Sequence, residues 1–217
     1  MNWNVHGALC EVRELRERII AKQRFKGYSG RARALSGCIA LGTALVLRTW
    51  WPEAPPATLL LAWAAAAAVA AVLNFGTLAY WFLTDTERGR DVRRLQPVLV
   101  AVPFLVAAIC LSLSLAQHGG WDLLYGCWML LHGLLHFASV GALPPRITWV
   151  GWFYVIAGST ALLLAPGSFN LLLFPGLAFF FGEWLAGLLM HFDERPGGDF
   201  LAFLGLASHH RSAHEDT

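Results

Sequence analysis

Six long apolar stretches, almost free of charged residues, set the strongest limit on how this chain can fold. Each is close to the roughly 20 residues that a helix needs to cross a bilayer. Lipid offers no partner for a free backbone donor or acceptor, so each stretch must be helical. We therefore predict an all-α, polytopic membrane bundle. Its transmembrane helices are predicted at Ala34–Trp51, Ala57–Thr84, Pro97–Ala116, Trp121–Leu143, Ile147–Ala165 and Asn170–Phe192.

Composition agrees with this class. Only 14% of the residues are charged, whereas a soluble domain of similar size carries about 25%. The net charge of +2 is too small to indicate nucleic-acid binding. Four of the five links are short and contain turn residues, which makes the helices they join antiparallel neighbours. These turn residues are Pro52–Pro56, Gly119–Gly120, Pro144–Pro145 and Pro166–Gly167. Ser36, Ala40 and Ala44 form a stripe of small residues on the first stretch, where we expect the second helix to pack closely.

The basic residues predict the orientation. With six spans, 15 of the 16 Lys and Arg residues fall on one side, and basic residues mark the cytoplasmic side of a membrane protein. Arg48 alone lies toward the other side, at the end of the first stretch. Residues 1–33 and 193–217 are thus predicted to be cytoplasmic, with residues 34–192 forming the transmembrane domain. An Arg-rich and Ala-rich composition is typical of a GC-rich bacterial genome and favours a bacterial inner membrane.

The N-terminal segment has a pattern of its own. Within Ala8–Lys26, apolar residues recur at helical spacing between charged ones, which predicts an amphipathic cytoplasmic helix. Two interpretations stay open: an interfacial helix on anionic lipid, or a docking surface for a cytoplasmic protein partner. The basic residues that would make either contact are Arg13, Arg16, Lys22, Arg24 and Lys26. A homo-oligomer is compatible with the sequence.

Polar side chains also occur at membrane depth. Glu183 lies near the middle of the last stretch, and a carboxylate there is costly unless it faces the bundle interior and has a partner. His132 and His136 lie at similar depth on one face of the fourth stretch. Asn74 and Tyr154 fall in the same slab on two further helices. We predict that Glu183 meets the two histidines, with Asn74 and Tyr154 as outer partners.

Three roles for this polar layer compete. In the first, hydrogen bonds between the side chains fix helix register. In the second, Glu183 and a histidine handle protons and couple them to movement of a small solute, as in a transporter or channel. In the third, His132, His136 and Glu183 bind a metal or haem, because His-x3-His places both imidazoles on one helix face. No cofactor is preferred, and no catalytic residues are identified.

Residues 121–190 carry loose glycine and proline spacings that resemble a known group of proteins. The shared positions include Gly158, Pro166, Gly182 and Gly187, and the stretch Leu124-Tyr125-Gly126 is similar to other bacterial membrane proteins of this length. The pattern resembles small six-helix bacterial inner-membrane proteins of the acid-resistance (HdeD-like) type. The resemblance implies a six-helix bundle and no particular reaction. The preferred interpretation is a non-enzymatic membrane protein with a structural or regulatory role, including one in a stress response.

Overall fold

The structure is a computed structural model that describes residues 11–12, 29–84, 96–141, 143–164, 172–194 and 200–204. These residues form helices and contain no strand. The predicted amphipathic helix, with its basic residues Arg13 to Lys26, lies outside the described residues except for Glu11 and Val12. The helices are α1 (Gly30–Trp50), α2 (Pro56–Thr84), α3 (Gln96–Gln117), α4 (Leu124–Ala138), α5 (Ile147–Leu163), α6 (Leu173–Glu194) and a short α7 (Phe200–Phe203).

The all-helical fold is confirmed, and the helix ends lie within a few residues of the predicted ones. Within the described segments, four helices are long and apolar enough to cross a membrane: α1, and the parts Pro56–Gly76, Leu99–Gln117 and Leu173–Asp193 of α2, α3 and α6. The helix α5 is apolar but shorter. The 3-10 turn Trp121–Leu123 leads into α4. It follows Gly119, whose positive φ of 73° favours a residue without a Cβ atom.

The first and last long helices, α1 and α6, form the most extensive contact in the fold. They run antiparallel, and three glycines bring their backbones together. Cβ atoms added at Gly30 and Gly187 would each collide with the backbone carbonyl of the other residue. At the opposite end, a Cβ added to Gly176 would meet that of Ala44. The small-residue stripe of α1 thus serves α6 as well as α2: Ala44 meets Gly176 of α6, whereas Ser36 accepts a hydrogen bond from Asn74 of α2.

The helices α4 and α5 form a second antiparallel pair by the same means. A Cβ added to Gly126 would lie 2.9 Å from the carbonyl oxygen of Gly158, and one added to Gly133 would lie 2.9 Å from that of Gly151. The seven-residue spacing on both helices keeps these glycines on the shared face. Small residues at an interface let membrane helices approach closely. Two tightly packed pairs thus form the frame of the bundle.

The two pairs join through α5 and α6, while α2 packs on α1 and α3 packs on α4. The helix α2 also reaches α4, where Trp63 Nε1 donates a hydrogen bond to the Tyr125 hydroxyl at 3.1 Å. Beyond these contacts, α2 and α3 present large apolar side chains outward, among them Leu61, Val72 and Leu105. Such surfaces suit a lipid environment and leave the polar groups for the interior.

Candidate functional site: a buried ion pair with two histidines

The centre of the bundle holds an ion pair between the first and last long helices. Arg33 Nε donates to Glu183 Oε2 at 2.8 Å, and Arg33 Nη2 donates to Glu183 Oε1 at 3.2 Å. The contact is therefore bidentate, the geometry in which an Arg–carboxylate pair is strongest. Gly37, one turn after Arg33, makes room for it, because a Cβ there would lie only 3.2 Å from Glu183 Cβ.

Two histidines on α4 surround this pair. His132 Nε2 lies 2.7 Å from Glu183 Oε1 and donates to the carboxylate. His136 Nδ1 lies 2.7 Å from the backbone carbonyl oxygen of His132, so this nitrogen carries the proton. His136 Nε2 can then only accept, and Arg33 Nη2 donates to it at 3.0 Å. The guanidinium and the carboxylate each contact one imidazole directly.

Tyr154 on α5 completes the cluster. Its hydroxyl donates to Glu183 Oε1 at 3.2 Å, and its ring stacks on that of His136 with centroids 5.6 Å apart. Gly182 on α6 lets the Tyr154 ring come close, because an added Cβ would collide with the phenol carbon and oxygen. Four helices, α1, α4, α5 and α6, therefore contribute to one connected set of polar side chains.

The cluster is enclosed by protein. Tyr154, His136, Glu183 and Arg33 are all at most 8% exposed. The side chain of His132 differs, with 28% of its surface exposed. The ring of Phe179 on α6 packs against those of His132 and Tyr154, with centroids 5.7 and 5.5 Å apart. Burial without pairing would be expensive for both charges, so their mutual contacts are what make this arrangement stable.

The cluster has the ligand atoms of a metal site, but the positively charged guanidinium of Arg33 already contacts those of His136 and Glu183. Ligand atoms of His132, His136 and Glu183 all lie within 4.8 Å of one another. The Arg33 guanidinium takes up the lone pair of His136 Nε2 and both carboxylate oxygens. These residues fit a divalent cation by donor type, but it would have to take the position that Arg33 fills.

Asn74 occupies a neighbouring position rather than the cluster itself. Its side-chain amide donates to Ser36 Oγ at 2.7 Å and to the carbonyl oxygen of Ala70 at 2.8 Å. Ser36 lies one residue before Gly37 on α1, so Asn74 ties α2 to α1 beside the ion pair. Depth along a helix does not determine which way a side chain faces, and Asn74 faces Ser36 rather than Glu183.

Arg33 is the residue that sequence reasoning missed. Hydropathy predicts that the first span begins at Ala34, which places Arg33 among the cytoplasmic basic residues. The helix in fact begins at Gly30, and Ser29 Oγ accepts a hydrogen bond from the Ala32 amide. A serine before a helical run is an N-cap signal that could have placed Arg33 inside the helix.

Comparison of the chain with protein-family models, with curated proteins and with solved structures finds no match. The resemblance of residues 121–190 to small six-helix bacterial membrane proteins therefore stays a prediction. Function has to be argued from the cluster itself.

Proposed function

We propose that this chain is a six-span integral protein of the bacterial inner membrane, in which the Arg33–Glu183 ion pair clasps the first and last spans together. Its role is structural or regulatory and not enzymatic. The observation that carries the proposal is the bidentate ion pair, in which both side chains are less than 10% exposed. The clasp holds α1 against α6 between the glycine contacts of the same two helices.

Six spans require that α4 and α5, the two shorter helices, are also long enough to cross a bilayer. The helix α5 has 17 residues, which gives about 26 Å at 1.5 Å per residue. That length is at the lower limit for crossing a bilayer. The turn Trp121–Leu123 extends α4 to a similar length. The antiparallel glycine contacts between α4 and α5 favour both helices lying at the same depth as the four longer spans.

The basic residues favour both termini in the cytoplasm, and reporter fusions test this orientation. Fusions after Glu53 and Gly119 should give active alkaline phosphatase, which requires export. A green fluorescent protein fused after Thr217 should fluoresce, which requires the cytoplasm. An exported C-terminal reporter or a cytoplasmic reporter after Glu53 would contradict the six-span proposal.

A clasp explains the pairing better than a transport site does. A proton-coupled transporter needs a water path to its carboxylate, whereas Glu183 accepts from Arg33, His132 and Tyr154 and is 6% exposed. Interhelical hydrogen bonds in membranes contribute modestly, about 0.6 kcal/mol each. Leaving a buried charge without its partner is far more costly. The ion pair therefore has the larger effect on whether α1 and α6 stay together.

The decisive experiment compares Glu183→Gln with Glu53→Gln, an exposed position in the α1–α2 link. If the clasp is the function of the cluster, Glu183→Gln should loosen the bundle and expose α1 to proteolysis in native membranes. Glu53→Gln should not. Unchanged protease resistance of both variants would remove the proposal.

A further inference from the structure

We propose that His132, His136 and Glu183 form a latent site for a divalent transition-metal cation such as Zn²⁺, for which Arg33 is the built-in competitor. The inference rests on the proposed clasp, because the metal would act by displacing Arg33 from Glu183. Binding of the cation would thereby unlock α1 from α6. The site would make the clasp responsive to a cytoplasmic metal.

One of the two imidazoles is already oriented as a ligand. His136 Nδ1 donates to the carbonyl oxygen of His132, which fixes the ring and leaves the Nε2 lone pair to accept from Arg33 or to bind a metal. Metal-binding histidines commonly have their second nitrogen held in this way. His132 Nε2 donates to Glu183 while the ion pair is intact, so binding a metal through this nitrogen requires it to give up that proton. The rings of His132 and His136 lie on one helix face, with centroids 4.8 Å apart.

The donor spacing suits one small cation. The three ligand atoms lie within 4.8 Å of one another. Around a Zn²⁺ ion held tetrahedrally by bonds of about 2.0–2.2 Å, donor atoms lie about 3.3–3.6 Å apart. Side-chain rotations would therefore have to draw the ligand atoms together by up to about 1.5 Å. Two imidazoles and one carboxylate are a common ligand set for such ions and leave a position for water or an anion. Tyr154, which donates to Glu183 Oε1, would keep orienting the carboxylate.

Arg33 and the metal would exclude each other because they use the same lone pairs. Arg33 Nη2 contacts His136 Nε2 and Glu183 Oε1 at 3.0 and 3.2 Å. Arg33 lies three residues after the start of α1 at Gly30, so its long side chain can extend toward the membrane surface when displaced. This location gives the displaced guanidinium a short route to the surface.

The test is metal binding by the purified full-length chain, with Arg33→Gln as the informative variant. All variants carry Gln at His209, His210 and His214, because a histidine-rich tail can itself bind metal. Co²⁺ is titrated while its visible absorption is recorded, and Zn²⁺ is then added as a competitor. Arg33→Gln should bind one Co²⁺ per chain at least about tenfold more tightly than the parent. Arg33→Lys keeps a positively charged side chain at this position, so its affinity for Co²⁺ should stay near that of the parent.

The ligands are tested by adding His136→Ala to Arg33→Gln, which should weaken Co²⁺ binding by at least about tenfold, the scale of losing a supporting group at a metal site. Binding that survives this change, or an Arg33→Gln affinity equal to that of the parent, would overturn the site. If Arg33→Gln is unstable alone, Zn²⁺ and not Mg²⁺ should raise its thermal midpoint. Failure of Zn²⁺ to do so also counts against the site.

Different measurements test the clasp and the metal site: protein stability tests the clasp, and metal binding tests the site. If Arg33→Gln and Glu183→Gln are both as stable as Glu53→Gln, the clasp is refuted whatever metal binds. If those two variants are unstable but no His136-dependent metal binding occurs, the clasp stands and the metal site is refuted.

Discussion

Replacing Glu183 by Gln tests the ion pair with almost no change of shape. The variant keeps one oxygen acceptor, but its amide NH₂ must face at least one donor. That donor is Arg33 Nε if the NH₂ replaces Oε2, whereas Arg33 Nη2, His132 and Tyr154 face it if it replaces Oε1. The variant also leaves the Arg33 charge without its counter-charge in a setting where its side chain is 9% exposed. Breaking a buried ion pair at one partner costs about 3–5 kcal/mol, so we expect a loss of that size in the free energy of unfolding.

A purely hydrogen-bonded cluster would give a smaller value. Glu183 accepts four contacts, two from Arg33 and one each from His132 and Tyr154. At about 0.6 kcal/mol for each membrane hydrogen bond, these would contribute about 2 kcal/mol together. The size of the loss therefore distinguishes a charge-based clasp from ordinary polar packing.

Reversible unfolding in mixed micelles supplies the measurement, with Glu53→Gln as the matched control. A double-mutant cycle with Arg33→Gln isolates the pair, because the double variant removes both charges. We expect it to be less destabilised than the two single variants combined, with a coupling energy of at least about 2 kcal/mol. A Glu183→Gln variant within about 0.5 kcal/mol of the control, the range of ordinary surface changes, would refute the reasoning.

Two glycine substitutions test the close contacts that position the cluster, and Gly42→Ala is the control for both, because an added Cβ there meets nothing within 4 Å. Gly187→Ala should destabilise the bundle by about 1–3 kcal/mol, because the new Cβ meets the backbone of Gly30, which cannot rotate away. Equal unfolding midpoints for Gly187→Ala and Gly42→Ala would contradict this. Gly182→Ala should push the Tyr154 ring away from Glu183 and lower the free energy of unfolding by a similar amount. If the Tyr154 hydroxyl still contacts Glu183 in this variant, Gly182 is not what makes room for the ring.

Helix positions could be predicted because hydropathy reports them directly. The apolar stretches end at Pro, Gly and charged residues, and the observed helices end within a few residues of them. The shared face of His132 and His136 could also be predicted, since it follows from counting residues along a helix. The structure places His132 Nε2 2.7 Å from Glu183 Oε1.

The pairing of α1 with α6 could not be read in the same way. Short links predict which helices are consecutive neighbours, whereas α1 and α6 are joined by no link. Their contact depends on Gly30 and Gly187 lying opposite each other, and such a match is visible only once the two helices are aligned. Arg33 was missed for a related reason: a charge at the edge of an apolar run resembles a flanking residue until its distant partner is known.

The central claim is that the Arg33 guanidinium and the Glu183 carboxylate touch inside the bundle. Magic-angle-spinning NMR of the protein in lipid bilayers measures this directly, through a correlation between the guanidinium nitrogens and the carboxyl carbon. With Nε and Oε2 2.8 Å apart, a cross-peak should appear, and it should vanish in both Arg33→Lys and Glu183→Gln. Absence of that cross-peak in the parent protein, under conditions where contacts within a helix are visible, would contradict the account.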